Sequence, residues 1–172
     1  MKIENIVFYL TFTIFIAVSI YSYQMLKKNY YGTQLLVVAA SLENILKRPM
    51  SPAQKALIMR NALPVLNEYK LKFFKYYGYW LDIYNVYNQA AMVEWLNGNR
   101  REALRLLLVS IRYHPYLSET YRAMSVYSAE VGMREASKYC LQTYQQLLST
   151  QPLNLAIRQK CLQAVKDFLK KN

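Results

Sequence analysis

Two kinds of patterning divide the chain. Residues 6–26, IVFYLTFTIFIAVSIYSYQML, carry no charged side chain. As a helix rising about 1.5 Å per residue, a run of that length covers roughly 31 Å, enough for the hydrocarbon core of a bilayer. Its hydroxyls, on Thr11, Thr13, Ser19 and Ser22, can bond back to helix carbonyls at little cost. Tyr9, Tyr21 and Tyr23 lie near the two ends, where amphipathic rings favour the headgroup region, and Lys27-Lys28 closes the run. A cleaved signal peptide, with Ala17-Val18-Ser19 as its small-residue site, and a buried core helix share part of this signature. The apolar run continues past that site to Leu26, and core helices rarely lack charge for so long, so the pattern predicts an uncleaved transmembrane helix.

Beyond Lys28 the apolar positions recur with helical spacing. Leu35, Val38, Ala39, Leu42, Ile45 and Leu46 form one stripe and predict a helix over 34–47, with Gly32 between it and the span unless one bent helix runs through. Pro49 ends that helix, and Ser51-Pro52 supplies a cap and first-turn proline for another over 52–62, carrying Ala56, Leu57 and Met59. Pro64 predicts an end or kink, followed by a third helix over 64–77 that holds Leu66, Tyr69, Leu71, Phe73 and Phe74 among lysines. An amphipathic closing helix is expected over 154–170, with Leu155, Cys161, Leu162, Val165 and Leu169 inward. No Ser/Gly-rich linker interrupts the chain after the span, which predicts one compact domain.

Residues 87–115 and 121–152 repeat one another. The interval from Tyr87 to Tyr121 equals the interval from Gly98 to Gly132. Each glycine is followed by Arg-Glu-Ala, at 101–103 and 134–136, and each copy ends at a proline, Pro115 or Pro152. This pattern resembles the tetratricopeptide repeat, a helix-turn-helix unit of about 34 residues, which is the same interval. Ala91 and Ser125 match its first small position, Ala103 and Ala136 its second, the two glycines its turn and the two prolines its exit. Small residues let paired helices approach, glycine supplies the turn backbone, and proline stops the second helix. The sequence departs from the family at Glu94 and Ser128, where an aromatic is usual. The second copy also reads as one residue shorter at its turn and about one helical turn longer before Pro152. The resemblance covers about 84–154, less than half the chain. It implies a short α-solenoid of antiparallel helix pairs whose first helices line a groove. The family's groove positions fall on Asn85, Asn88 and Met92 and on Glu119, Arg122 and Val126. A generic helical bundle is the lesser alternative.

Composition narrows the chemistry. With one His and two Cys among 172 residues, a multi-histidine metal centre and a closed structural zinc site are excluded. His114 sits at a repeat exit and reads as a turn residue, and no second base suggests a triad. The four glycines are too scattered for a phosphate-cradling loop. Glu94 is a candidate for burial, and the acids are otherwise dispersed. No cofactor, metal or enzymatic activity is expected. Cys140 and Cys161 lie on neighbouring predicted helices; they read either as two small buried side chains or as a staple of an exported domain.

Charge then points to partners. Lys2 and Glu4 cancel, so the net charge of +12 falls entirely after residue 26. A belt rich in aromatics, Tyr69, Tyr76, Tyr77, Tyr79, Trp80, Tyr84 and Tyr87, is threaded with Lys70, Lys72 and Lys75. Such a belt fits helix packing with a binding face, an anionic membrane surface or an acidic protein, and it could stack bases.

These features predict an all-α protein: an N-terminal tail and anchor over 1–28, a helical lead-in over 29–83, and two repeats with a capping helix over 84–172. The expected function is a single-pass membrane-anchored adaptor that binds a protein partner, acidic or membrane-embedded, through Tyr84 and the groove positions. By analogy with small anchored repeat proteins, its setting is a bacterial envelope assembly such as pilus, secretion or cell-wall and glycan machinery. Alternatives are a subunit that self-assembles through its apolar helix, and a basic nucleic-acid-binding module. The two sides of the membrane are nearly balanced, with a small lean to export of the large domain. Lys27, Lys28, Lys47 and Arg48 would hold the large domain inside, whereas a very short basic N-terminus before an apolar run is how exported domains begin.

Overall fold

A computed structural model of the chain describes residues 3–76, 83–150 and 152–171. Seven helices make up the regular structure of the described residues: α1 Ile3–Leu46, α2 Pro52–Lys75, α3 Ile83–Leu96, α4 Arg100–Tyr113, α5 Ser118–Glu130, α6 Arg134–Leu148 and α7 Leu155–Lys170. The chain forms two units, Met1–Leu81 and Asp82–Asn172. A single compact domain after the anchor is therefore not what forms, and no boundary separates the span from residues 29–46.

In the first unit, α1 is one helix of 44 residues that runs through Gly32 without a break. From Tyr9 to Tyr23 every side chain is exposed, whereas Leu35, Ala39 and Leu42 are buried. The change of regime follows from α2, which packs on α1 and buries Leu66 and Phe73. Ser51 caps α2 by accepting the Gln54 amide proton, and the Gln54 side chain accepts in return from the Ser51 amide. The predicted end at Pro64 does not occur, and residues 52–75 form one helix of 24 residues. Pro64 is exposed, so its ring faces away from α1 while Leu66 and Phe73 bury apolar surface. That burial offsets the missing backbone bond.

In the second unit, α3 pairs with α4 and α5 with α6. The paired helices turn at Gly98 and Gly132, with φ of +83° and +81°, a conformation that disfavours any residue with a Cβ. The two turns carry the same backbone bonds: the Asn99 amide to Glu94 O at 2.9 Å and the Met133 amide to Ser128 O at 2.8 Å. The bonds keep the register of the two glycines through Arg100 and Arg134, so the second turn is not shorter. Nor is α6 a whole turn longer, at 15 residues against 14 for α4. In the register of the glycines Ser137 corresponds to Ala103, and its main-chain oxygen accepts from Ser125 Oγ at 3.0 Å. Six residues of α4 are buried, Ala103, Leu104, Leu106, Leu107, Ser110 and Ile111, against three of α6, Ala136, Cys140 and Thr143. Cys140 corresponds to Leu106 and is buried where it bonds to Cys161 of α7.

The helix α7 packs along α6 and reaches back to α4. Asn154 caps it by accepting the Ala156 and Ile157 amides. Cys161 bonds to Cys140, 21 residues earlier, and with Val165 it is buried. Leu162 and Leu169 are half-buried against the core. Leu155, predicted inward, is 57% exposed, because the first residue of α7 lies beyond the cover of α6. All five helices contribute to one apolar cluster around Leu104, Leu107, Tyr121, Met124 and Cys161.

Candidate functional site

Where the uncharged run of α1 ends, the C-terminal part of α2 lies beside it and the two build a collar of tyrosines and lysines. Tyr31 of α1 stacks on Tyr76 with ring centres 5.6 Å apart, and Tyr69 and Tyr30 lie within 6.3 and 5.1 Å. Lysines stand over these rings: Lys72 at 5.1 Å from Tyr31, Lys28 at 4.9 Å from Phe73, and Lys27 at 5.5 Å from Tyr23. Lys72 also donates to Glu68 at 2.5 Å, and that bond holds its ammonium above the ordinary range. Lys70 is buried along α2 and donates to Asn67 Oδ1 at 3.0 Å. The collar combines interfacial aromatics with cations one or two turns beyond an apolar helix whose side chains are exposed on every face. By length and composition α1 can cross a membrane.

The belt predicted over 69–87 is therefore divided. Tyr69, Lys72 and Tyr76 belong to the collar, while Tyr77, Tyr79 and Trp80 lie outside the described residues. Tyr84 and Tyr87 belong to α3 in the other unit, where Tyr87 stacks on Tyr113 at 5.7 Å. The α1 members, Lys28, Tyr30 and Tyr31, escaped sequence reading because they sit on a different helix from their partners, far away along the chain.

In the second unit the predicted groove residues occupy α3 and α5. Asn88 is not presented to solvent as a free amide: its Nδ2 donates to Thr120 Oγ1 at 2.9 Å, and its Oδ1 accepts from the same hydroxyl at 3.1 Å. Thr120 is buried, so this pair joins α3 to α5. Arg122 donates to Glu119 at 2.6 Å, an exposed pair one turn apart. Tyr84 is half-buried; its carbonyl accepts from Ser110 and its ring lies 4.8 Å from that of His114. Asn85 and Met92 are half-buried and Val126 is 47% exposed. Glu94 is buried and accepts from Asn99 Nδ2 at 2.6 Å, closing the first turn.

Other contacts, not evident in the sequence, order this unit more strongly. Trp95 stacks on Tyr127 at 3.9 Å and donates to Glu130 at 3.1 Å, with the Arg100 guanidinium 4.0 Å above the Trp95 ring. Tyr121 donates to Pro115 O and accepts from Arg158 at 2.7 Å. Burial drives its phenol above the ordinary range, with Arg158 opposing. Arg101 donates to the Leu169 and Lys171 carbonyls at the end of α7, where a cation favours the helix dipole. A cation near a helix C-terminus is recognisable in sequence only when both lie on one helix, and these do not.

No family model matches this chain, and no curated protein or solved structure matches it significantly.

Proposed function

We propose that the chain is a single-pass membrane-anchored adaptor, held in the bilayer by residues 6–26 and presenting a tetratricopeptide-like helical unit to a protein partner. The observation that carries this reading is the collar. Apolar side chains exposed all round a helix are unfavourable in water, and here they end abruptly at stacked tyrosines and lysines. The adaptor part rests on paired helices whose matching turns recur at the tetratricopeptide interval, a unit that stacks into binding surfaces in other proteins. The Cys140–Cys161 bond favours an exported second unit, because such bonds persist in oxidising compartments. An envelope assembly machine is a setting consistent with these properties.

Carbonate extraction and protease protection test the reading. The full chain should stay with the membrane pellet, and residues 82–172 should be shielded from protease added on the cytoplasmic side. Release into the supernatant would remove the anchor. In mild detergent, a homo-oligomer of defined mass without a second protein would favour the self-assembling alternative.

A further inference from the structure

Three of the six residues predicted to line a groove are engaged within the unit, Asn88 with Thr120 and Arg122 with Glu119 on the same helix. A different surface of the second unit has the character of a receptor. Arg101, in the first turn of α4, holds the carbonyls of the last turn of α7, so the two helices run in opposite directions. Between them lies an open groove of about 410 Å³. Its floor is aliphatic, with Leu108 and Val109 from α4 and Leu162 and Leu169 from α7, all half-buried. Cations stand on both walls, Arg105 and Arg112 on α4 and Lys166 and Lys170 on α7, and no acidic residue lines it among the described residues.

Two of those cations already have partners. Arg105 is bidentate to Glu102, and Lys170 lies 3.8 Å from Asp167. Arg112 and Lys166 are both exposed, and neither has an ion-pair partner among the described residues. They leave one uncompensated positive charge on each wall.

We propose that this groove docks an acidic amphipathic helix of the partner protein. The proposal rests on the adaptor reading and names its site. The occupant follows from three features. An apolar floor flanked by charge is the complement of a helix with an apolar face and charged shoulders. The wall cations require acidic shoulders. Arg105 and Arg112 are two turns apart, about 10.5 Å along the axis, so the occupant contributes two to three turns. No aromatic among the described residues lines the groove, so stacked bases find no platform there. A bilayer surface presses on flat or convex faces, not on a floor recessed between two helices.

A photo-crosslinking amino acid at Val109 of the full-length protein, irradiated in its native membrane, tests the proposal, with a second chain carrying it at Val126. The expected adduct at Val109 is a peptide of net negative charge with apolar residues at helical spacing. Arg112→Glu combined with Lys166→Glu should lower its yield about tenfold, because two attractive pairs become repulsive. Arg112→Lys with Lys166→Arg should retain it, and unchanged melting temperatures of both double variants keep the comparison valid. A lipid, nucleic acid or basic peptide at Val109, or a yield indifferent to charge reversal, overturns the proposal. Protein adducts at Val126 alone would overturn the groove and leave the adaptor reading standing. Protein adducts at neither position would sink both.

Discussion

Tyr121 shows how much one side chain can hold in this molecule. Its ring is wholly buried, and its hydroxyl links the exit of the first helix pair, at Pro115 O, to Arg158 on α7. Tyr121→Phe removes both bonds and leaves a carbonyl and a guanidinium unsatisfied, which should lower stability by about 1–3 kcal/mol in denaturant titration. The same phenol sets a dependence on pH. Its folded-state pKa lies above the ordinary 10.0, so the folded protein keeps the proton more tightly than the unfolded chain. The stability tied to that proton is complete below 10.0 and falls as pH rises through the folded-state value. Alkaline unfolding followed by circular dichroism should therefore be less steep for Tyr121→Phe than for the parent. Leu107, also wholly buried, is a second test of the core, and Leu107→Ala should cost about 2–5 kcal/mol in the same titration. Nothing in the sequence brings Arg158 to Tyr121, 37 residues away.

Among the elements, α2 and α7 are where local rules and packing disagree or combine. Pro64 predicts a helix end or kink, yet α2 continues through it. Pro64→Ala restores an amide donor and should raise the thermal midpoint, by up to about 3 kcal/mol of stability. An unchanged or lowered midpoint would mean that the proline ring has a packing role. The helix α7 is held by an N-cap, by Arg101 at its far end and by the bond from Cys161 to Cys140. Closing a loop across 21 residues should contribute about 3 kcal/mol, so reduction should lower the stability of the second unit by that amount, read as a fall in its thermal midpoint. Cys161→Ser under oxidising conditions should behave like the reduced parent. The closing helix was legible as amphipathic, and its two buried members, Cys161 and Val165, match that pattern. Leu155 does not, because a helix's first residue can overhang whatever the rest packs on.

For the whole molecule the decisive feature is the split into Met1–Leu81 and Asp82–Asn172, with the span and its hairpin partner in the first. Phe15 lies at the middle of the uncharged run and is exposed. Phe15→Arg should cost about 2.5–3.5 kcal/mol of membrane insertion, read as a shift from the carbonate-resistant to the soluble fraction. The all-helical class, an N-terminal helix long and apolar enough to cross a membrane and the spacing of the glycine turns follow from the sequence itself, because they depend on interactions within a few residues. Charge-free length, helical periodicity and a glycine between two amphipathic runs are all local quantities. Tertiary structure alone decided that α1 continues into its hairpin, that Pro64 is tolerated, and that fewer residues of α6 than of α4 are buried. It also decided which tyrosines and lysines meet in the collar and which cations line the α4–α7 groove. Those outcomes depend on pairs distant in the chain, such as Cys140 with Cys161 and Arg101 with Lys171, whose free energy is gained only once the helices have packed. A linear pattern carries the faces of each helix but not the helix that covers them.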